Sequence, residues 1–326
     1  MTAKSQTIEE KFKLALSLQA EKEYGKSNKH LIDLYSTNDM KELVCLNLAK
    51  NYLAIGNWKQ ANKYSTECIE MKGEYSKEAA IVKGNALHQE NRVEEEEQLY
   101  CEMLKQYPDN YNINLYLAML YSEKPDNSLM TGRQFYKTIK CDPLNRAAHF
   151  LAAQYDMEAR HYIQSILSDY FQLMISPNPQ SVKKIQIKLA KTGNVRDAMQ
   201  DVIYNSDSTA SETDIQLYWA MAFLSDLDKC DVYEENQLED PGCFINNSKT
   251  LIARVCESAY CQEDREKWTH ADYYLNFFGS LLRNDMLDEF LYYVLIKSYP
   301  EVGEYIYGIN KENLTKFASF LDKFFN

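Results

Sequence analysis

The stretch Leu48-Ala49-Lys50-Asn51-Tyr52-Leu53-Ala54-Ile55-Gly56-Asn57-Trp58-Lys59-Gln60-Ala61 reads as the end of one helix, a tight turn and the start of a second helix. Leu48, Ala49 and Tyr52 share one helical face. Gly56 suits the left-handed conformation that closes a helix. Small residues on both sides, Ala49 and Ala61, let two antiparallel helices approach, while Leu48, Tyr52 and Trp58 fill the space beside them.

The same arrangement returns along the chain, and a period of this length decides an architecture before any single motif does. About 35 residues on, Lys83-Gly84, Leu87, the Glu90-Asn91-Arg92 turn, Val93, Tyr100 and Met103 take the equivalent places, closing on Tyr107-Pro108-Asp109-Asn110. A further copy runs through Leu117-Ala118, Tyr121, Phe135 and Ile139 to Cys141-Asp142-Pro143-Leu144-Asn145. Backward, Leu14-Ala15, Leu18, the Lys22-Glu23-Tyr24-Gly25 turn, Ser27, Leu31 and Leu34 supply a copy before Gly56. Four hairpins in register thus cover residues 8–145. Two degenerate hairpins are expected over 146–205, the second around Ile185, Leu189, Thr192-Gly193-Asn194-Val195 and Val202. Residues 206–326 read as a divergent helical region: helices over 215–227 and 249–262, an acidic linker from about Asp228 to Asn247 between them, an aromatic pair of helices from His270 to Ser298, and a short helix from Glu312 to Phe325 as a cap.

These motifs resemble the tetratricopeptide repeat family over residues 8–145, and less closely over 146–205. The resemblance implies an all-α, right-handed superhelix of antiparallel helix hairpins, a solenoid whose concave groove is lined by the first helix of each pair. It implies a protein or peptide partner held in that groove. In this family a carboxylate clamp of lysines, asparagines and an arginine grips an acidic C-terminal tail. That clamp is missing here: its positions hold Phe12 and Leu16 in the first copy and Glu78 and Val82 in the third, and only Asn47 fits. The plausible groove residues are Asn47, Asn51, Asn85, His88, Asn114 and Tyr121. Their amides, imidazole and hydroxyl suit the donors and acceptors of a peptide backbone, although solvated surface is the plainer reading of the same residues.

Composition agrees with a folded helical chain. Ten Gly and seven Pro among 326 residues are too few to turn a β-sandwich. A net charge of −12 disfavours nucleic acid and anionic membrane surfaces. The chain as written opens without the apolar core of a signal peptide, so a cytoplasmic location is expected, with export the alternative had a signal been removed. Cys45, Cys68, Cys101 and Cys141 lie singly in helical patterns, as isolated thiols of a reducing compartment do. Cys256 and Cys261, near Cys230, Cys243 and His270, lack the paired spacing of a zinc site, and a disulfide between later cysteines becomes the better reading if the chain is exported. No metal or other cofactor is expected.

No phosphate-binding glycine loop, nucleophile elbow or paired-histidine motif occurs, and the five histidines are scattered singly. A non-catalytic scaffold or adaptor follows. A self-assembling homodimer, or a regulatory module with a ligand site in residues 206–326, are the alternatives. Most of the 25 tyrosines recur at helical spacing, as core residues do. Glu94 to Glu97 open a helix whose dipole they complement. Lys183, Lys184, Lys188 and Lys191 line one helix side, either a solvated face or one that meets an acidic partner. Asn246-Asn247-Ser248 and Asn313-Leu314-Thr315 fit a glycosylation acceptor, relevant only in a secretory setting.

Overall fold

The computed structural model describes residues 7–37, 40–125, 127–192, 211–221 and 241–325, and within these the chain is all-α, with sixteen α-helices and no strand. It forms two compact units, Met1–Leu120 and Tyr121–Asn326. The division falls before the sequence boundary at residue 145, within the fourth hairpin.

Unit 1 is a stack of helix hairpins: α1 (Ile8–Ala20) with α2 (Tyr24–Thr37), α3 (Lys41–Ala54) with α4 (Trp58–Glu70), and α5 (Ser76–Gln89) with α6 (Val93–Gln106), followed by α7 (Tyr111–Ser122), which crosses the division. Local chemistry sets the ends. Thr7 and Glu10 form a capping box on α1, and Asn57 accepts from the Gln60 N–H to start α4. Each hairpin turn contains one left-handed residue: Lys22 (φ 62°), Gly56 (φ 74°) and Asn91 (φ 56°). The next N–H then reaches back to the preceding helix, Glu23 to Leu18, Asn57 to Tyr52 and Arg92 to Leu87, at 2.8, 2.9 and 2.9 Å. These 6→1 bonds are the Schellman closure of a helix, repeated with the period read from the sequence. Arg160 (φ 63°) and Asp285 (φ 53°) occupy the same place in two turns of unit 2, with His161 bonding to Asp156 and Met286 to Leu281.

The small position of the motif is where first and second helices touch. Ala15, Ala49 and Ala153 are at most 1% exposed, and Gly84 is buried with them. Ser27 Oγ of α2 donates to Ala15 O at 2.8 Å, and Ser165 Oγ donates to Ala153 O at 2.7 Å in the fifth hairpin. First helices α3 and α5 are covered over most of their circumference, with α5 also packed on α3. Second helices α4 and α6 keep one exposed face.

Unit 2 contains α8 (Ser128–Cys141), α9 (Arg146–Glu158), α10 (Tyr162–Ile175), α11 (Pro179–Thr192), α12 (Glu212–Met221), α13 (Pro241–Ser258), a 3₁₀ turn (Arg265–Lys267), α14 (His270–Arg283), α15 (Leu287–Ser298) and α16 (Pro300–Phe325). Every side chain from Ile163 to Met174 is buried. Helix α10 is therefore a central helix, touched by α9, α11, α12, α14 and α15, and the C-terminal helices return to earlier ones instead of extending a linear stack. Their joint core is aromatic: Phe171 lies 4.9 Å from Phe277 and 4.5 Å from His149, and Tyr170 meets Phe244, Phe278 and Phe290. Such ring pairs each add about 0.5–1.5 kcal/mol beyond the area they bury.

Three expectations for the C-terminal region change. The linker ending near Asn247 gives way to helix from Pro241, because proline at a first helical position needs no hydrogen-bond partner for its nitrogen. The last helix begins at Pro300 for the same reason, so Glu312 to Phe325 is the end of a 26-residue helix. That end packs Phe317, Phe324 and Phe325 on Phe290 and Phe277. The helix expected over 215–227 is described over Glu212–Met221. The second helix of the sixth hairpin, and most of the acidic linker, lie outside the described residues.

Candidate functional site

The six groove candidates are placed by three first helices, α3, α5 and α7, and their environments differ. Asn51 is fully buried, its amide nitrogen donating to Ser27 Oγ and to Asn28 Oδ1, both at 2.9 Å. It ties α3 to α2. Asn47 is buried and donates to Leu43 O within its own helix at 2.8 Å. Asn114 is buried at the start of α7, donating to Pro108 O and Asn110 O at 2.9 and 3.0 Å. Tyr121 opens unit 2 and is also buried, with Lys124 Nζ 5.7 Å from its ring. Asn85 and His88, on α5, are partly exposed. His88 Nδ1 lies 3.0 Å from the buried Glu96 carboxylate of α6. On the same face of α5, Glu78 reaches Lys50 of α3 at 2.7 Å. The solvent-facing part of the candidate set is thus the Asn85–His88 turn, continuous with the Lys50–Glu78 bridge.

Unit 2 holds a buried polar network that the sequence reading missed. His149 Nε2 lies 2.9 Å from Pro143 O and Nδ1 lies 2.8 Å from Tyr274 Oη, which is 2.9 Å from Ser168 Oγ. Burial pushes the His149 pKa down to about 4, against a smaller upward pull from the Pro143 carbonyl. Asp156, fully buried, takes His270 Nε2 at 2.9 Å and His161 Nδ1 at 3.5 Å. Burial alone would raise its carboxyl, but the two imidazoles hold it below the ordinary carboxylate range. Asp272 closes another branch, taking Thr213 Oγ1 at 2.7 Å and the Gln262 N–H at 3.1 Å. The network joins α9 and α10 to α14 through partners more than 100 residues apart. No local spacing signals such a pairing; the hint is that α10 carries Gln164, Ser165, Ser168, Asp169 and Gln172 among its apolar residues.

Four of the thiols are chemically quiet. Burial raises Cys45 and Cys261 to about 11, and Cys68 and Cys256 to about 12, leaving little thiolate at neutral pH. Cys243 is disulfide-bonded, and the six other described cysteines are free. Among the described residues no three His, Cys, Asp or Glu side chains are grouped to hold a metal ion, and no helix is long and apolar enough to cross a membrane.

No protein-family model matches the chain, and no curated protein is significantly similar to it. The tetratricopeptide resemblance therefore rests on the sequence motifs alone.

Proposed function

We propose that the chain is a non-catalytic protein-interaction scaffold whose hairpins hold a peptide or helix of a partner against the exposed edges of their first helices. The observation that supports this reading is the side-by-side placement of α3 and α5. Lys50, Glu78, Asn85 and His88 form one polar strip on helices otherwise covered by neighbours. A strip carried on packed helices is preorganised, so a flexible partner bears most of the ordering cost of association. Asn51 serves in this proposal as an internal fixing that holds α3, one of the strip's two helices, against α2.

The test uses the purified chain as bait in a lysate of its source cells, beside a Lys50→Ala/Asn85→Ala/His88→Ala variant with an unchanged melting temperature. Proteins retained by the wild type and lost by the variant support the reading. Identical sets on both baits contradict it.

A further inference from the structure

Residues 143–192 invert the charge of the chain around them. They carry six basic side chains against three acidic ones, in a chain of net charge −12. Two of those acids, Asp156 and Asp169, are buried, which leaves Glu158 as the segment's exposed carboxylate.

On α11, Lys184 Nζ lies 2.7 Å from Asp169 Oδ1 and Lys188 Nζ lies 2.5 Å from Asp169 Oδ2. Two ammonium groups share one buried carboxylate, so the cluster keeps one positive charge. Lys188 is 9% exposed and is also held by Ser165 Oγ at 2.6 Å. Burial pulls its pKa below the ordinary lysine value, with Asp169 opposing. Lys184 is the outer member. Its Nζ also stands 5.9 Å over the ring of Phe150, close enough for a cation–π contact, and Phe150 is 52% exposed. Ile187, one turn along α11, is 37% exposed. Arg146, one turn before Phe150, is exposed and reaches Ser176 Oγ at 3.3 Å. An exposed aromatic, an exposed aliphatic and two fixed cations therefore share the face between α9 and α11.

We infer that this face binds an acidic peptide segment bearing an apolar side chain, with its carboxylates on Lys184 and Arg146 and its apolar group on Phe150 and Ile187. This rests on the scaffold reading and adds the chemistry of a partner. Lys184 is already held by Asp169 and the Phe150 ring, so little side-chain entropy is lost when a carboxylate arrives. An extended anionic surface such as a bilayer or duplex is disfavoured by the charge of the whole chain, whereas a short acidic segment meets the local field.

The test is fluorescence anisotropy with the full chain and a labelled acidic hexapeptide carrying a central phenylalanine, against its Gln/Asn isostere. The acidic peptide is expected to bind about tenfold tighter than the isostere at low salt and to lose most of that advantage at about 0.5 M salt. Lys184→Met and Phe150→Ala should each weaken binding about fivefold or more, while Lys29→Ala on α2 should leave it unchanged. No binding, equal binding of the isostere, or variants that bind like the wild type would each overturn the inference. Phosphatidylserine vesicles bound with the same variant sensitivity, and no peptide bound, would overturn it in favour of a membrane. If the lysate bait retains its partners through the Asn85–His88 strip while the peptide fails, the scaffold reading stands and this surface alone is withdrawn.

Discussion

Replacing Gly84 with alanine tests the repeat register at its tightest point. A Cβ added to Gly84 would overlap Oη and Cζ of Tyr100 and lie 2.8 Å from Cε1. Tyr100 is completely buried at the α5–α6 contact, so its ring cannot swing into solvent. Overpacking of this kind costs about 1–3 kcal/mol. Alanine regains about 0.5–1 kcal/mol of helix propensity over glycine. The net expectation is a loss of about 1–2 kcal/mol, or several degrees in melting temperature. Urea unfolding of the wild type, Gly84→Ala, Tyr100→Phe and the double variant isolates the contact. In the alanine background, removing the hydroxyl should recover about half of the loss, because the ring carbons still crowd the methyl group. A Gly84→Ala chain as stable as the wild type, or more stable, would mean that helix propensity alone acts there and that α5 and α6 do not approach as described.

Further perturbations address other levels of the structure. Asn51→Ala removes both amide donations to α2 and should cost about 1–3 kcal/mol, whereas Lys50→Ala at the neighbouring surface bridge should cost about 1 kcal/mol or less; equal losses in chemical denaturation would refute the internal role of Asn51. His149, with a folded pKa of about 4 against 6.5 unfolded, gives stability that is complete above pH 6.5 and is lost as the pH falls toward 4, since in that window the unfolded chain binds a proton that the folded chain refuses. That amounts to about 3 kcal/mol, and a His149→Gln chain should show a correspondingly flatter fall in denaturation midpoint between pH 7 and 4; an unchanged slope would show that His149 is not buried neutral. Cys243 should resist alkylation in denaturant until a reductant is added, while Cys45 and Cys68 label without one; labelling of Cys243 before reduction would contradict its disulfide.

The repeat hairpins were legible because each rests on contacts within about 35 residues. Ala49 and Ala61 buried in one hairpin, Gly56 in its turn and Gly84 under Tyr100 are local requirements that leave local marks. Lys22 and Arg160 adopt the same left-handed turn conformation as Gly56, yet as long polar residues they carry no turn signal. The packing of unit 2 was not legible. Helix α10 is enclosed by α14 and α15, and its Ser168 meets Tyr274, a partner 106 residues away that no periodicity could supply. The asparagines misled in the opposite sense. On composition alone an amide suggests surface, whereas Asn51 and Asn114 are buried because backbone or side-chain partners satisfy them. Lys183 to Lys191 read as one basic helix side, but the structure separates a buried Lys188 from an outer Lys184 over Phe150.

The most direct test of the proposed scaffold is site-specific photocrosslinking in the source cells, with p-benzoylphenylalanine placed at Asn85 on the exposed strip of α5 and, in a separate chain, at Lys63 on the outer face of α4. A discrete crosslinked partner from position 85 and none from position 63 is the expected result. Crosslinks from position 63 alone, or none from position 85 in a folded chain, would contradict a partner held along the first helices.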